Sequence, residues 1–188
     1  MAQLTGKTIA FLAADGVEDV EYERPRQAVE DAGARTELLS LGDGEIQAVE
    51  SDLNPTRTLP VDKPVRDASV DDYDGLVLPG GALNPDHLRQ DEDAVHFVQD
   101  FFKTGKPVGV ICHGPWTLVE ADVVRGRTLT AYPSVRTDIR NAGGTVVDEE
   151  VVVDEGLVSS RDPGDLDAFC ATIVEEFAEG RHRVAAQA

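Results

Sequence analysis

Apolar positions in this chain gather into short runs separated by longer stretches of helical periodicity. Thr8-Ile9-Ala10-Phe11-Leu12-Ala13 is one such run, broken by Asp15-Gly16. Residues 36–41, Gly75-Leu76-Val77-Leu78, Val108-Gly109-Val110-Ile111 and residues 156–160 read the same way. Apolar runs without alternation predict strands buried on both faces. Between them, residues 20–32 carry Val20, Tyr22, Ala28 and Val29 at helical spacing and stop at Gly33. Pro25 interrupts that pattern, which predicts a helix starting near Arg24. Residues 91–104 place Ala94, Val95, Val98, Phe101 and Phe102 on one side and close at Gly105. Further helices are predicted over 116–121, 135–142 and, started by Asp165, 166–177. Residues 42–65 are mostly polar, with Ile46, Val49, Leu59 and Val61 spaced as in a surface hairpin. Residues 129–132 read as a strand, and Val146-Val147 and Val151-Val152-Val153 flank acidic residues.

Buried strands alternating with helices predict an α/β fold: a doubly wound, mostly parallel sheet with helices on both faces. No repeat, low-complexity tract or linker divides the chain. The expectation is one domain over 1–180 and a frayed tail over 181–188. In such sheets ligands bind beyond the carboxyl ends of the strands. Asp15-Gly16, Pro79-Gly80-Gly81 and Cys112-His113 all stand at such ends, so they are expected to meet in one cleft.

The third of these ends carries candidate chemistry. The apolar run before Cys112 stops abruptly at Cys112-His113-Gly114-Pro115, and a helical stretch follows. That is how a strand delivers a nucleophile to a sharp turn at a helix start. Gly114 permits close backbone approach and Pro115 suits a first helical turn. A helix N-terminus is expected to lower the thiol pKa. Glu18, just past the first strand, is the candidate acid for a hydrogen bond to the thiol. The backbone N–H groups of Gly81 and His113 are candidates for an oxyanion hole. Cys170 lies in an apolar helical stretch and reads as core packing.

Composition narrows the function. The chain has 36 Asp and Glu against 17 Lys and Arg, a net charge of −19. Such a field repels nucleic-acid phosphates and anionic membranes, so neither is an expected partner. It also fits a salt-rich cytoplasm, where self-repulsion is screened. No apolar run approaches the length of a membrane span, and Met1 to Lys7 leads straight into a strand-like run, so neither membrane insertion nor a secretory leader is expected. Two distant cysteines fit free thiols in a reducing cytoplasm. Neither has metal-ligand spacing, and no metal or other cofactor is expected.

The matching segments, taken in order, are residues 11–21 (Phe-Leu-Ala-Ala-Asp-Gly-Val-Glu-Asp-Val-Glu), Leu76-Val77-Leu78-Pro79-Gly80-Gly81, residues 105–115, and residues 151–161. With this spacing the chain resembles the PfpI-type intracellular protease/deglycase family, within the class I glutamine amidotransferase-like superfamily. The resemblance implies a flavodoxin-like sandwich with Cys112 in a strained nucleophile elbow. It implies that Glu18 contacts the cysteine sulfur and that His113 pairs with an acid from a neighbouring subunit. Asp86 stands at the position of that acid, with His87 a competing local partner. A homo-oligomer, dimer or hexamer, follows from a site completed in trans. The resemblance also implies a small carbonyl substrate or a glycated adduct, met by glyoxalase III-like or deglycase chemistry in a stress response. Glu18 or His113 would then shuttle protons. An intracellular cysteine peptidase and a redox-sensing or chaperone protein with an oxidisable Cys112 are the alternatives. A glutaminase is disfavoured, because no His-x-Glu pair follows Cys112 and His182 in the tail is a poor substitute.

Overall fold

A computed structural model of the chain describes residues 3–181. In chain order the elements are β1 (Thr8–Leu12), β2 (Val17–Glu18), α1 (Asp19–Asp31), β3 (Arg35–Ser40), β4 (Glu45–Glu50), β5 (Asn54–Pro60) and β6 (Lys63–Pro64). They continue as β7 (Gly75–Leu78), α2 (Leu83–Leu88), α3 (Glu92–Lys103), β8 (Val108–Ile111), α4 (Pro115–Glu120), β9 (Thr128–Leu129) and α5 (Arg136–Asn141). The last are β10 (Thr145–Val146), β11 (Val151–Asp154), β12 (Leu157–Ser160) and α6 (Leu166–Glu179).

Seven strands form the central sheet in the order β11-β12-β8-β7-β1-β3-β6. All its pairs are parallel except β11 with β12. Side chains alternate across it. Ile9 and Phe11 of β1 point into one core with Tyr22 and Val29 of α1 and Phe169, Ile173 and Phe177 of α6. Ala10 and Leu12 point into the other, with Phe97, Val98 and Phe101 of α3, Leu118 of α4 and Ile139 of α5. The expected doubly wound sandwich is therefore present. From β1 the chain winds outward through β3 and β6, then returns to the other side of β1 at β7. That reversal opens the crevice where such sheets bind ligands.

The polar stretch after β3 forms the expected hairpin: β4 pairs antiparallel with β5, and β4 also pairs with β2. Asp91 caps α3 through a side-chain bond from the Ala94 N–H. One helix start departs from expectation. α1 begins at Asp19 and runs through Pro25 rather than starting near Arg24. Pro25 lies on the buried face with Glu21 and Val29, so core packing outweighs the missing N–H. α2, directly after Gly81, carries no apolar periodicity and was not expected. Of residues 129–132 only Leu129 is strand, together with Thr128 in β9. The tail expected to fray, and His182 within it, lie outside the described residues, apart from Arg181.

Candidate active site

β8 ends at Ile111, and the chain turns at Cys112 with φ 61°, a left-handed conformation that a residue with a Cβ adopts at a cost. The turn is over-determined. The Cys112 N–H donates to the Ser160 carbonyl at 3.1 Å, and its own carbonyl accepts from the Tyr132 N–H at 3.0 Å. The Gly114 N–H donates back to Ile111 at 2.9 Å. A Cβ on Gly114 would stand 2.8 Å from the Leu78 carbonyl, so this position is held for glycine. The sulfur is thus presented in the crevice from a rigid elbow, with the residue only 6 % exposed.

The acid that meets it is Glu21, not Glu18. Glu21 is 0 % exposed and lies in the first turn of α1. Its polar neighbours are the Cys112 thiol and the backbone of Gly80. A Cβ on Gly80 would lie 2.2 Å from Glu21 Oε2 and 2.5 Å from Cys112 Cβ, so glycine there is what lets carboxyl and cysteine meet. Neither carboxyl oxygen has a well-aligned donor. Burial pushes the Glu21 carboxyl up to about 8, and the charges of Glu18 and Asp52 add to that rise. A neutral carboxyl is therefore the favoured form at neutral pH, able to donate a hydrogen bond.

Glu18 has a different place. Its two oxygens accept from the Ser51 N–H at 2.9 Å and the Asp52 N–H at 3.0 Å, bracing a turn where both residues have positive φ. Asp52 in turn accepts from the Ala82 N–H at 2.7 Å. Gly81, at φ 84°, packs so tightly against the Gly16 carbonyl that a Cβ would stand 2.3 Å from it. Buried Asn84 finishes the clamp: it accepts from the Ala14 N–H and donates to the Pro79 and Gly80 carbonyls. The three strand ends expected to converge do so.

The Gly81 and His113 N–H groups both bond toward the Cys112 sulfur, the direction an oxyanion hole on this nucleophile requires. They pull the thiol pKa down, as a helix start was expected to. Burial, joined by the charge Glu21 gains once it ionises at higher pH, wins, however, and the thiol is raised rather than lowered.

His113 Nδ1 lies 3.2 Å from Cys112 Sγ, and its Nε2 lies 3.1 Å from Ser134 Oγ. The ring stacks on Tyr132 with centroids 4.5 Å apart and leans on Trp116 at 5.4 Å. Burial holds the imidazole below its usual range, partly offset by Asp52. Asp86 is exposed on α2, and its carboxylate accepts from Gln90 Nε2 at 3.2 Å. It meets no catalytic candidate within the chain. His87 bonds the Asp15 carbonyl at 3.1 Å, away from His113. Cys170 is buried in the α1–α6 core with its thiol pushed up to about 11 by burial, the environment of a packing residue. Among the described residues no group of three or more His, Cys, Asp or Glu side chains could hold a metal ion, and no helix is long and apolar enough to cross a membrane.

Glu21, Asp52, Asn84 and Ser134 were absent from the expected site. A signal existed for Glu21: it precedes Pro25 and Val29 by four and eight residues, on the face that a helix begun at Asp19 buries. Asp52 and Ser134 act across long sequence separations that no local pattern records.

This architecture recurs in known proteins. An uncharacterized protein of Staphylococcus epidermidis is 44 % identical over 172 residues, covering 90 % of this chain and 97 % of that one. One from Staphylococcus haemolyticus is 42 % identical with the same coverage. Among solved structures, a two-domain protein of Anabaena variabilis containing DJ-1/ThiJ/PfpI-like and ferritin-like domains is 34 % identical with a TM-score of 0.84. That match covers 90 % of this chain and 47 % of the two-domain protein. Drosophila melanogaster DJ-1beta is 26 % identical with a TM-score of 0.82, covering 92 % and 90 % of the two chains. The DJ-1/PfpI family itself matches residues 7–176. With the fold, the strained cysteine elbow and this match all in agreement, the chain belongs to the DJ-1/PfpI family.

Proposed function

We propose that this protein is a cysteine-dependent stress-response enzyme acting on small reactive carbonyls such as methylglyoxal, or on their early adducts with amino groups. Family membership supports a stress-response, hydrolase-like role in general; the finer reading rests on the site. The observation that carries it is a buried nucleophile flanked by a neutral carboxyl and two convergent backbone N–H groups. A thiol this enclosed suits an aldehyde of a few atoms better than an extended peptide, so the reading favours carbonyl chemistry over peptidase chemistry.

In this reading the Cys112 thiol loses its proton through His113 as the sulfur adds to the aldehyde carbon, and the carbonyl oxygen takes up negative charge between the Gly81 and His113 N–H groups. Glu21, neutral near pH 7, donates its proton to that oxygen and gives a hemithioacetal. The resulting carboxylate then takes the proton from the former aldehyde carbon and returns it at the neighbouring carbon, while the hydroxyl proton moves from the first oxygen to the second, giving the lactoyl thioester. Water hydrolyses the thioester to lactate, and the two protons released restore the thiol and the Glu21 carboxyl. For an adduct, the amine takes up a proton and leaves from the hydroxyl-bearing carbon, which regenerates the aldehyde that the sulfur attacks, and the same proton transfer follows. The reading includes a homo-oligomer in the cytoplasm, with exposed Asp86 offered to a neighbouring chain. A strict monomer at assay concentration removes Asp86 from the mechanism.

The test is lactate formation from methylglyoxal. Cys112→Ala is expected to abolish it, and Glu21→Gln to lower kcat by roughly 100-fold, the scale of a lost general acid–base. Glu18→Gln, which keeps an acceptor for the 51–52 turn, is expected to lose less than ten-fold. Equal rates in wild type and Cys112→Ala overturn the reading.

A further inference from the structure

We propose that Ser134 is a positioning residue for this site: its hydroxyl fixes the His113 ring against the Cys112 sulfur and carries the thiol proton to solvent, all within one chain. The inference rests on Cys112 being the nucleophile, and not on which substrate it attacks.

The geometry is a line of three polar atoms. Cys112 Sγ is 3.2 Å from His113 Nδ1, and His113 Nε2 is 3.1 Å from Ser134 Oγ. Cysteine and histidine are each 6 % exposed, whereas Ser134 is exposed, on the 3-10 turn Pro133–Val135. The line therefore runs from a buried sulfur to water. Other groups face the pair without continuing that path. Glu21 from α1 is fully buried. Asp52 is spent on the Ala82 N–H, although its charge still acts on the ring. Glu18 is held by the 51–52 turn. Tyr132 and Trp116 offer ring faces.

A hydroxyl is the partner such a ring needs. Serine donates and accepts through one oxygen, so it serves either imidazole tautomer. With the proton on Nε2, the ring donates to Ser134 and Nδ1 accepts from the thiol. In the relay, the S–H proton passes to Nδ1, the Nε2 proton passes to Ser134 Oγ, and the serine proton passes to water. The products are a thiolate, a neutral histidine protonated on Nδ1 and facing that thiolate, and a hydronium ion. At no stage is the buried ring required to be an imidazolium, which its desolvation disfavours. A carboxylate at Nε2 would instead favour that charged form. With Nε2 already engaged inside the chain, the ring is oriented before any second copy arrives.

The experiment follows the thiol alone. Iodoacetamide alkylation of Cys112 is measured across pH 6–10 in wild type, Ser134→Ala, Ser134→Gly and Ser134→Thr. Alongside it, ¹⁵N shifts of the His113 ring report the tautomer. Loss of the hydroxyl is expected to slow alkylation at pH 7 about five-fold, the scale of one hydrogen bond, and to move its pH midpoint upward. The ¹⁵N signals of the hydroxyl-free variants are expected to show a changed tautomer mixture, and threonine to restore wild-type behaviour. That pattern supports the relay even where no variant turns over methylglyoxal, a result that would instead remove the proposed substrate. Wild-type rates, midpoint and ring shifts in both hydroxyl-free variants overturn it.

Discussion

At the scale of single residues, Glu21 is a fully buried carboxyl with a clear pH signature. Its carboxyl titrates near 4.5 when unfolded and near 8 in the folded chain, because burial penalises the charge. Between those values the folded state holds a proton that the unfolded state has released. Stability contributed by this group therefore falls as pH rises through that window. Glu21→Gln removes the dependence. Its stability relative to wild type is expected to improve by about 2 kcal/mol or more between pH 5 and pH 8, measured by urea unfolding at both. An unchanged difference would mean that Glu21 is already ionised at neutral pH. The same residue marks where reading the sequence succeeded and failed. Cys112, His113 and the Gly80-Gly81 turn are legible because strand ends and glycines leave local marks. Glu21 leaves no such mark: a helix starting near Arg24 puts it outside any buried face, so the sequence points to Glu18, three residues before the acid that meets the thiol.

At the scale of elements, the crevice is held by a chain of contacts from β2 through the hairpin to α2. Glu18 braces the turn at Ser51 and Asp52, and Asp52 holds the Ala82 N–H next to Gly81. This clamp fixes one of the two oxyanion donors from a part of the molecule that touches no reacting atom. Asp52→Ala is expected to lose about 1 kcal/mol of stability and roughly ten-fold in kcat. Asp52→Asn, which keeps an acceptor for Ala82, is expected to stay within two- or three-fold of wild type. Equal loss in both variants would shift the role of Asp52 from its bond to its charge. The main strands and the long helices α3 and α6 are legible because buried strands read as apolar runs and amphipathic helices keep their period. The six-residue α2 is not, since Leu83-Asn84-Pro85-Asp86-His87-Leu88 carries no helical pattern and forms around the buried hydrogen bonds of Asn84.

At the scale of the whole molecule, charge is the dominant feature. A net charge of −19 on 188 residues is a standing repulsion that added salt screens. The arginines answer it locally. Arg57 bridges Asp19 and Glu23, and Arg161 bridges Asp148 and Asp165. The half-exposed pairs of Arg57, and Arg161 with Asp148, each contribute little, whereas Asp165 is buried and accepts from both the backbone and the guanidinium of Arg161. Raising KCl from 0.1 to 2 M is expected to raise the Tm by several degrees, read by scanning calorimetry. A flat or falling Tm would count against a salt-adapted surface.

The strand edges carry a further consequence, for how copies of this chain can meet. β6 closes one side of the main sheet with only Lys63 and Pro64, and Pro64 has no N–H to offer a newcomer. β5 edges the hairpin sheet with Pro55 and Pro60 at either end. At the far edge, β11 is four residues long and flanked by Asp148, Glu149, Glu150 and Glu155, so two such edges repel. Sheet continuation from one molecule to the next is thereby disfavoured at these three edges. Contacts between copies of this chain are therefore expected to use helix and loop faces in preference to these strands.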